Sequence, residues 1–184
     1  MKFAVLFRAL NVGGKNQVCM RELRELLTEL GFRGVKTYIQ SGNAVLESPL
    51  TETSLRERIQ SGFRARFGFD GGAVLRSADS MRAMVERPPF TPEEIAAAEA
   101  ACPEVEHLYV YFLSDSPGRE QLEAVLRDYE GPDLLRAGER ELYLLCRQSI
   151  RKSKLAARAA KQFESTTVRN WKTVCKFCEL MNEV

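Results

Sequence analysis

Three prolines within five positions, Pro88, Pro89 and Pro92, interrupt the chain near its middle. Neither a helix interior nor a central strand accommodates such a run, because each proline removes a backbone donor and fixes φ. The stretch Arg87-Pro88-Pro89-Phe90-Thr91-Pro92 therefore reads as a linker, and the order of elements can be compared on its two sides. Three parts are expected: 1–87, a linker at 88–92, and 93–184.

On the first side, the near-continuous apolar run Phe3 to Leu10 suits a strand covered on both faces. Leu23, Leu26, Leu27 and Leu30 repeat at helical spacing from about Cys19 to Leu30, with Gly31 as C-terminal cap. Val35 to Gln40 and Ala44 to Glu47 read as strands joined at Ser41-Gly42-Asn43, where glycine and asparagine supply positive φ. Leu55, Ile59, Phe63 and Phe67, four apart, form the stripe of a second helix that Gly68 ends. Ala73-Val74-Leu75 offers a fourth strand, and Ser77 to Glu86 a further helical turn or more. The order is βαββαβ, the ferredoxin-like arrangement.

On the second side, Thr91-Pro92-Glu93-Glu94 carries the capping-box pattern of a helix start. His107 to Leu113 reads as a strand. Ser116-Pro117 opens a helix through Leu122, Val125, Leu126 and Tyr129 that Gly131-Pro132 stops. A hairpin follows, with Leu134-Leu135 and Leu142 to Cys146 around Ala137-Gly138-Glu139, and Ser153 to Phe163 makes the next helix. This βαββα order echoes the first half. The expected class is α+β: two ferredoxin-like halves packed together, closed by a C-terminal helix over Val168 to Met181. On that helix Trp171, Val174, Cys175 and Cys178 would form an apolar face.

With 184 residues and 45% hydrophobic content, the chain is long enough for a sizeable core. The charge balance of 27 basic against 25 acidic residues, +2 net, imposes no nucleic-acid or anionic-membrane partner on the whole molecule. A local basic patch stays open. Five irregularly spaced cysteines do not form a secreted disulfide framework, and reduced thiols in the cytoplasm are expected. The apolar start up to Phe7 is far too short to span a membrane.

Chemistry concentrates in three stretches. In Asn11-Val12-Gly13-Gly14-Lys15-Asn16, paired glycines allow close approach to backbone N–H groups, Lys15 adds charge, and a helix N-terminus follows. That combination suits an anion. It is not a P-loop, whose first glycine and final hydroxyl are here Ala9 and Asn16. In Tyr38-Ile39-Gln40-Ser41-Gly42-Asn43, strand alternation would place Tyr38 and Gln40 on one face and Ile39 on the other. Ser41 and Asn43 are also ordinary hairpin residues. In Thr166 to Thr173, Arg169, Asn170, Trp171 and Lys172 would share one helix start, where cations can meet phosphate and a tryptophan can stack on a base or sugar. A capped amphipathic helix explains the same residues.

Cys175-x-x-Cys178 has no second pair, His107 lies inside a strand pattern, and Cys19 has no partner histidine, so neither a metal, a cofactor nor a nucleophile is assigned. The expected ligand set is Arg8, Asn11, Gly13, Gly14, Lys15, Tyr38, Gln40, Ser41, Asn43, Arg169, Asn170 and Lys172, with catalytic residues open.

Arg8-Ala9-Leu10-Asn11-Val12-Gly13-Gly14-Lys15-Asn16, then Met20 and Leu23, then Thr37-Tyr38-Ile39-Gln40-Ser41-Gly42-Asn43, and finally Thr167-Val168-Arg169-Asn170-Trp171-Lys172-Thr173, resemble a bacterial family catalogued as domain of unknown function 1697. The resemblance implies a small cytosolic α+β protein of two ferredoxin-like parts, with no activity to carry over. Cys19 stands where that family tends to have a basic residue, and Arg87-Pro88-Pro89-Phe90 replaces an Asn-Pro-Phe-like ending. The leading expectation is binding of a phosphorylated or other anionic small molecule. A nucleic-acid-binding module and a non-catalytic interaction protein are the alternatives; oligomeric state is open.

Overall fold

The computed structural model describes residues 1–11, 13, 14 and 16–184. The chain divides into two compact units, Met1–Glu86 together with Cys175–Val184, and Arg87–Val174.

The first unit contains β1 (Lys2–Phe7), α1 (Met20–Glu29), β2 (Arg33–Tyr38), β3 (Asn43–Glu47), α2 (Glu52–Phe67), β4 (Ala73–Ser77) and α3 (Ala78–Glu86). Its antiparallel sheet runs in the order β2-β3-β1-β4. Alternation divides β1 cleanly. Phe3, Val5 and Phe7 join Leu23, Leu26 and Leu27 of α1 and Leu55, Ile59 and Phe63 of α2 in one core. Burying each of these side chains contributes about 1.5–3 kcal/mol. Ala4 and Leu6 face the other way and are equally buried, which accounts for the unbroken apolar run. Thr51 caps α2 through Ser54 N, and Gly68, at φ 75, ends it.

The second unit contains α4 (Pro92–Ala101), β5 (Leu108–Phe112), α5 (Arg119–Leu126), β6 (Leu134–Ala137), β7 (Glu141–Leu145), α6 (Lys154–Gln162), preceded by a short 3-10 turn at Ile150–Lys152, and β8 (Thr167–Asn170). Its sheet order, β6-β7-β5-β8, repeats that of the first. Thr91 and Glu94 form the expected capping box, and Glu94 also receives both Nη atoms of Arg136 at 2.7 Å. Arg136 further donates to Pro89 O and lies 4.7 Å from the centroid of Phe90, tying the proline stretch to β6.

Three boundaries depart from the sequence expectation. Thr167–Asn170 is a strand rather than the start of a helix: Val168 and Arg169 pair with Tyr111 and Val110 of β5, so the second half completes βαββαβ. The C-terminal helix, α7 (Trp171–Asn182), begins only after it. Helix α5 starts at Arg119, with Gly118 N donating to the Gln121 side chain, and stops at Leu126 because Arg127 is extended, leaving Tyr129 outside. Finally, β2 ends at Tyr38, and Ile39 takes φ 47, so Gln40 lies in the turn where strand alternation no longer applies.

Candidate functional site

The loop from Arg8 to Cys19 leaves β1 through a series of left-handed residues. Ala9, Asn11, Gly13, Gly14 and Asn16 have φ between 52 and 75. For three non-glycine residues this is an unfavourable backbone region, and local bonds hold it. The Asn11 amide donates to Val18 O at 3.0 Å and Gln40 O at 2.7 Å, while its Oδ1 accepts from Val18 N at 2.8 Å. Asn16 O accepts from Asn11 N, and the Asn16 amide reaches Ala9 O. One asparagine thus closes the loop on itself and fastens it to the β2–β3 turn.

The turn meets the loop from its own side. Phe7 N donates to Gly42 O at 2.8 Å, and a Cβ on Gly42 would come within 2.9 Å of Phe7 Cβ and Leu10 Cδ1, so glycine is required there both for φ and for space. Asn43, fully buried, donates to Tyr38 O at 3.2 Å and Ser41 Oγ at 2.9 Å. It braces the hairpin from inside and does not reach solvent. Gln40 is exposed; Tyr38 and Ser41 are half-buried.

Arg8, Ala9, Asn16, Gln17 and Cys19 are exposed in this loop. Gly13 and Gly14 are exposed too, and, their chain neighbours aside, no heavy atom of the described residues lies within 4 Å of where their Cβ atoms would stand. The following helix α1 begins after Cys19, which makes no side-chain cap bond, so its first-turn N–H groups lack that partner. Exposed Arg8 donates its own N–H to Gly72 O at 2.7 Å, and its guanidinium lies along Gly72. Lys15 lies outside the described residues.

The first two motifs therefore meet in the first unit. The third belongs to the second unit and has its own local bonding. Arg169, 9% exposed, donates from Nη1 to Thr167 Oγ1 at 2.7 Å and to Val168 O at 2.9 Å. Burial lowers its pKa to about 10, which leaves it charged at neutral pH. Asn170 Oδ1 accepts from Thr173 N and Oγ1 and so caps α7. Exposed Lys172 pairs with Glu106 at 2.5 Å, and that carboxylate raises its pKa.

A matching residue was missed. Arg76 on β4, with no exposed surface, stands opposite Ala4 as Arg169 stands opposite Val110. In the sequence it stands directly after the apolar run Ala73-Val74-Leu75.

All five cysteines are free thiols. Burial raises the pKa of Cys175 and Cys178 and pushes Cys146 up to about 12, so these three are poor nucleophiles at neutral pH. His107 is buried with its ring nitrogens at the carbonyls of Cys146 and Cys102. Among the described residues no group of three or more His, Cys, Asp or Glu side chains is placed to hold a metal ion, and no helix is long and apolar enough to cross a membrane.

Residues 1–143 match the family described as protein of unknown function (DUF1697). The chain belongs to this family. For this DUF1697 protein the match spans the glycine loop and the hairpin and ends before the Arg169 motif. A solved structure described as conserved bacterial protein SP0830 from Streptococcus pneumoniae is similar over 98% of both chains, with 26% identity and a TM-score of 0.76. Curated proteins yield no match.

Proposed function

We propose that the first unit binds a phosphorylated or other anionic small molecule at the exposed Gly13-Gly14 turn. The observation that carries this reading is the backbone at Ala9, Asn11, Gly13, Gly14 and Asn16: these left-handed positions, held by Asn11, leave two side-chain-free residues exposed ahead of a helix without a side-chain cap. Successive N–H groups in such loops make concave anion sites, and a helix N-terminus adds partial positive charge. Exposed Arg8 and, by its place in the sequence, Lys15 supply full charges. The reading stands on the first unit alone. Five free thiols suit a reducing, cytoplasmic setting.

The test is an amide-resolved NMR titration with inorganic phosphate and then with ribose 5-phosphate. Saturable shifts centred on Gly13, Gly14 and the first turn of α1 are expected. Lys15→Ala should leave the spectrum folded and weaken binding by about 1.5–3 kcal/mol. Shifts that do not saturate, or that spread without centring on this turn, would refute the reading.

A further inference from the structure

The second unit carries a surface of opposite design, built from side chains rather than backbone. Between Glu141 and Glu164 the sequence has no acidic residue but six basic ones: Arg147, Arg151, Lys152, Lys154, Arg158 and Lys161. The chain as a whole is only +2, so the remainder is net acidic and the positive charge is concentrated here.

Structure sorts these six by role. Arg158 donates from Nη1 to Val125 O and to Arg127 O at 2.6 Å, and it lies over the Tyr129 ring; it closes the end of α5. The other five are exposed, and none forms an ion pair among the described residues. Exposed cations elsewhere often face a carboxylate, as Arg21 faces Glu25, Arg64 Asp70 and Arg119 Glu123.

Their placement is also electrostatically adverse. Helices α1 to α5 each carry an acidic residue in the first turn, whereas α6 and α7 have none, and Lys154 opens α6 directly behind Arg151 and Lys152. Cations at a helix N-terminus oppose the macrodipole. Inside, the needs of that terminus are met by Ser153, which caps Ala156 N and donates at 2.6 Å to the buried Asp133. Outside, the lysines and arginines face solvent beside a cleft of about 430 Å³ that reaches Lys152, Lys154 and Gln148, with Asp128 and Glu130 also in its lining.

We propose that this surface binds the phosphate backbone of a nucleic acid. Lys154 and Lys161 are seven residues apart on one face of α6, about 10 Å along its axis, and Arg151 and Lys152 extend the row beyond its start. Duplex DNA offers a phosphate about every 3.4 Å along each strand, so a row of this length spans several. A bilayer or a protein partner would call for apolar anchors. Besides its lysines, the exposed residues of α6 are Ala157, Ala160 and Gln162, with no large apolar group among them.

Fluorescence anisotropy with a labelled DNA duplex, and with a single strand of the same length, across about 50 to 200 mM salt tests this. Binding to at least one is expected, with log Kobs falling linearly with log salt. The quadruple variant Arg151→Gln, Lys152→Gln, Lys154→Gln, Lys161→Gln should flatten the duplex slope by about 3 to 4, and Lys161→Gln alone by about 1. Arg119→Gln, which removes a paired cation, should leave it unchanged. No binding to either strand form at about 50 mM salt, or a quadruple variant with the parent's slope, overturns the proposal. Capture by phosphatidylserine vesicles at a salt concentration that releases both oligonucleotides overturns it in favour of a membrane surface. Because removing cations from the start of α6 relieves an unfavourable field, the quadruple variant should melt no lower than the parent.

Discussion

Between β1 and α1 the first unit inserts twelve residues (8–19), whereas between β5 and α5 the second inserts six (113–118). The sheets beneath are laid out alike, in the same order, and their registers match apart from an irregularity between Arg33 and Lys36 in β2. Ala4 lies between Val45 and Arg76 as Val110 lies between Tyr143 and Arg169. Both edge strands thus place a buried arginine at the same point, an inward charge that discourages further strand addition. The scaffold repeats, while the exposed equipment does not: one unit enlarges a loop and exposes Gly13 and Gly14, and the other keeps the loop short and places cations on a helix.

That contrast can be broken at several points. The largest effect is expected in the first core, where Phe63 has no exposed surface and packs against the Phe7, Phe67 and Phe69 rings at centroid separations of 4.7–5.3 Å. Phe63→Ala should cost about 3–5 kcal/mol in denaturant unfolding. A loss under 1 kcal/mol would mean that this cluster does not hold the first unit.

Next comes a network of the second unit. Buried Asp133 accepts from Arg147 N at 2.9 Å and from Ser153 Oγ at 2.6 Å. Asp133→Ala strands both donors and should cost roughly 2–3 kcal/mol, while Asp133→Asn should recover part of it, read by thermal unfolding.

Asn11 is the corresponding fastening in the first unit, and Asn11→Ala should cost about 1–2 kcal/mol, from lost hydrogen bonds and from φ 56. Hydrogen exchange should then rise in residues 8–18 and 39–42 together; a rise in one segment alone would mean that Asn11 does not join them.

The smallest effect is a pH dependence. Hydrogen bonding from Arg136 holds the Glu94 carboxyl down to about 2. Since the folded value lies below the unfolded one, the stabilisation is full above about pH 4.5 and is lost as pH falls toward 2. Acid titration should show this component larger in the parent than in Arg136→Gln, which keeps only the part due to the Thr91 N–H.

Much of the fold was legible because its signals are local. The leucines of α1, the four-residue stripe of α2 and the Thr91 capping box can be read within one turn of helix. Strand β8 was not legible, because Thr-Val-Arg-Asn is short and runs directly into the periodic residues of α7. It is a strand because β5 has an open edge, a fact located more than fifty residues away. The glycine loop and the hairpin were readable as two separate turns for the same reason. Their joining depends on Asn11 reaching Gln40, across 29 positions, and no periodicity encodes a single side-chain bond over that distance.

Helix α7 carries a consequence for how the chain is made. Its residues up to Val174 belong to the second unit and those from Cys175 onward to the first, where Lys2 donates to Met181 O and Lys36 pairs with Glu183. On the ribosome, residues 1–86 therefore emerge without part of their own unit, which arrives only after the whole second unit has been synthesised. Domains usually finish in the order of their synthesis; here the unit that starts first is the last to be complete, and a fragment cut at the proline stretch would lack ten of its residues.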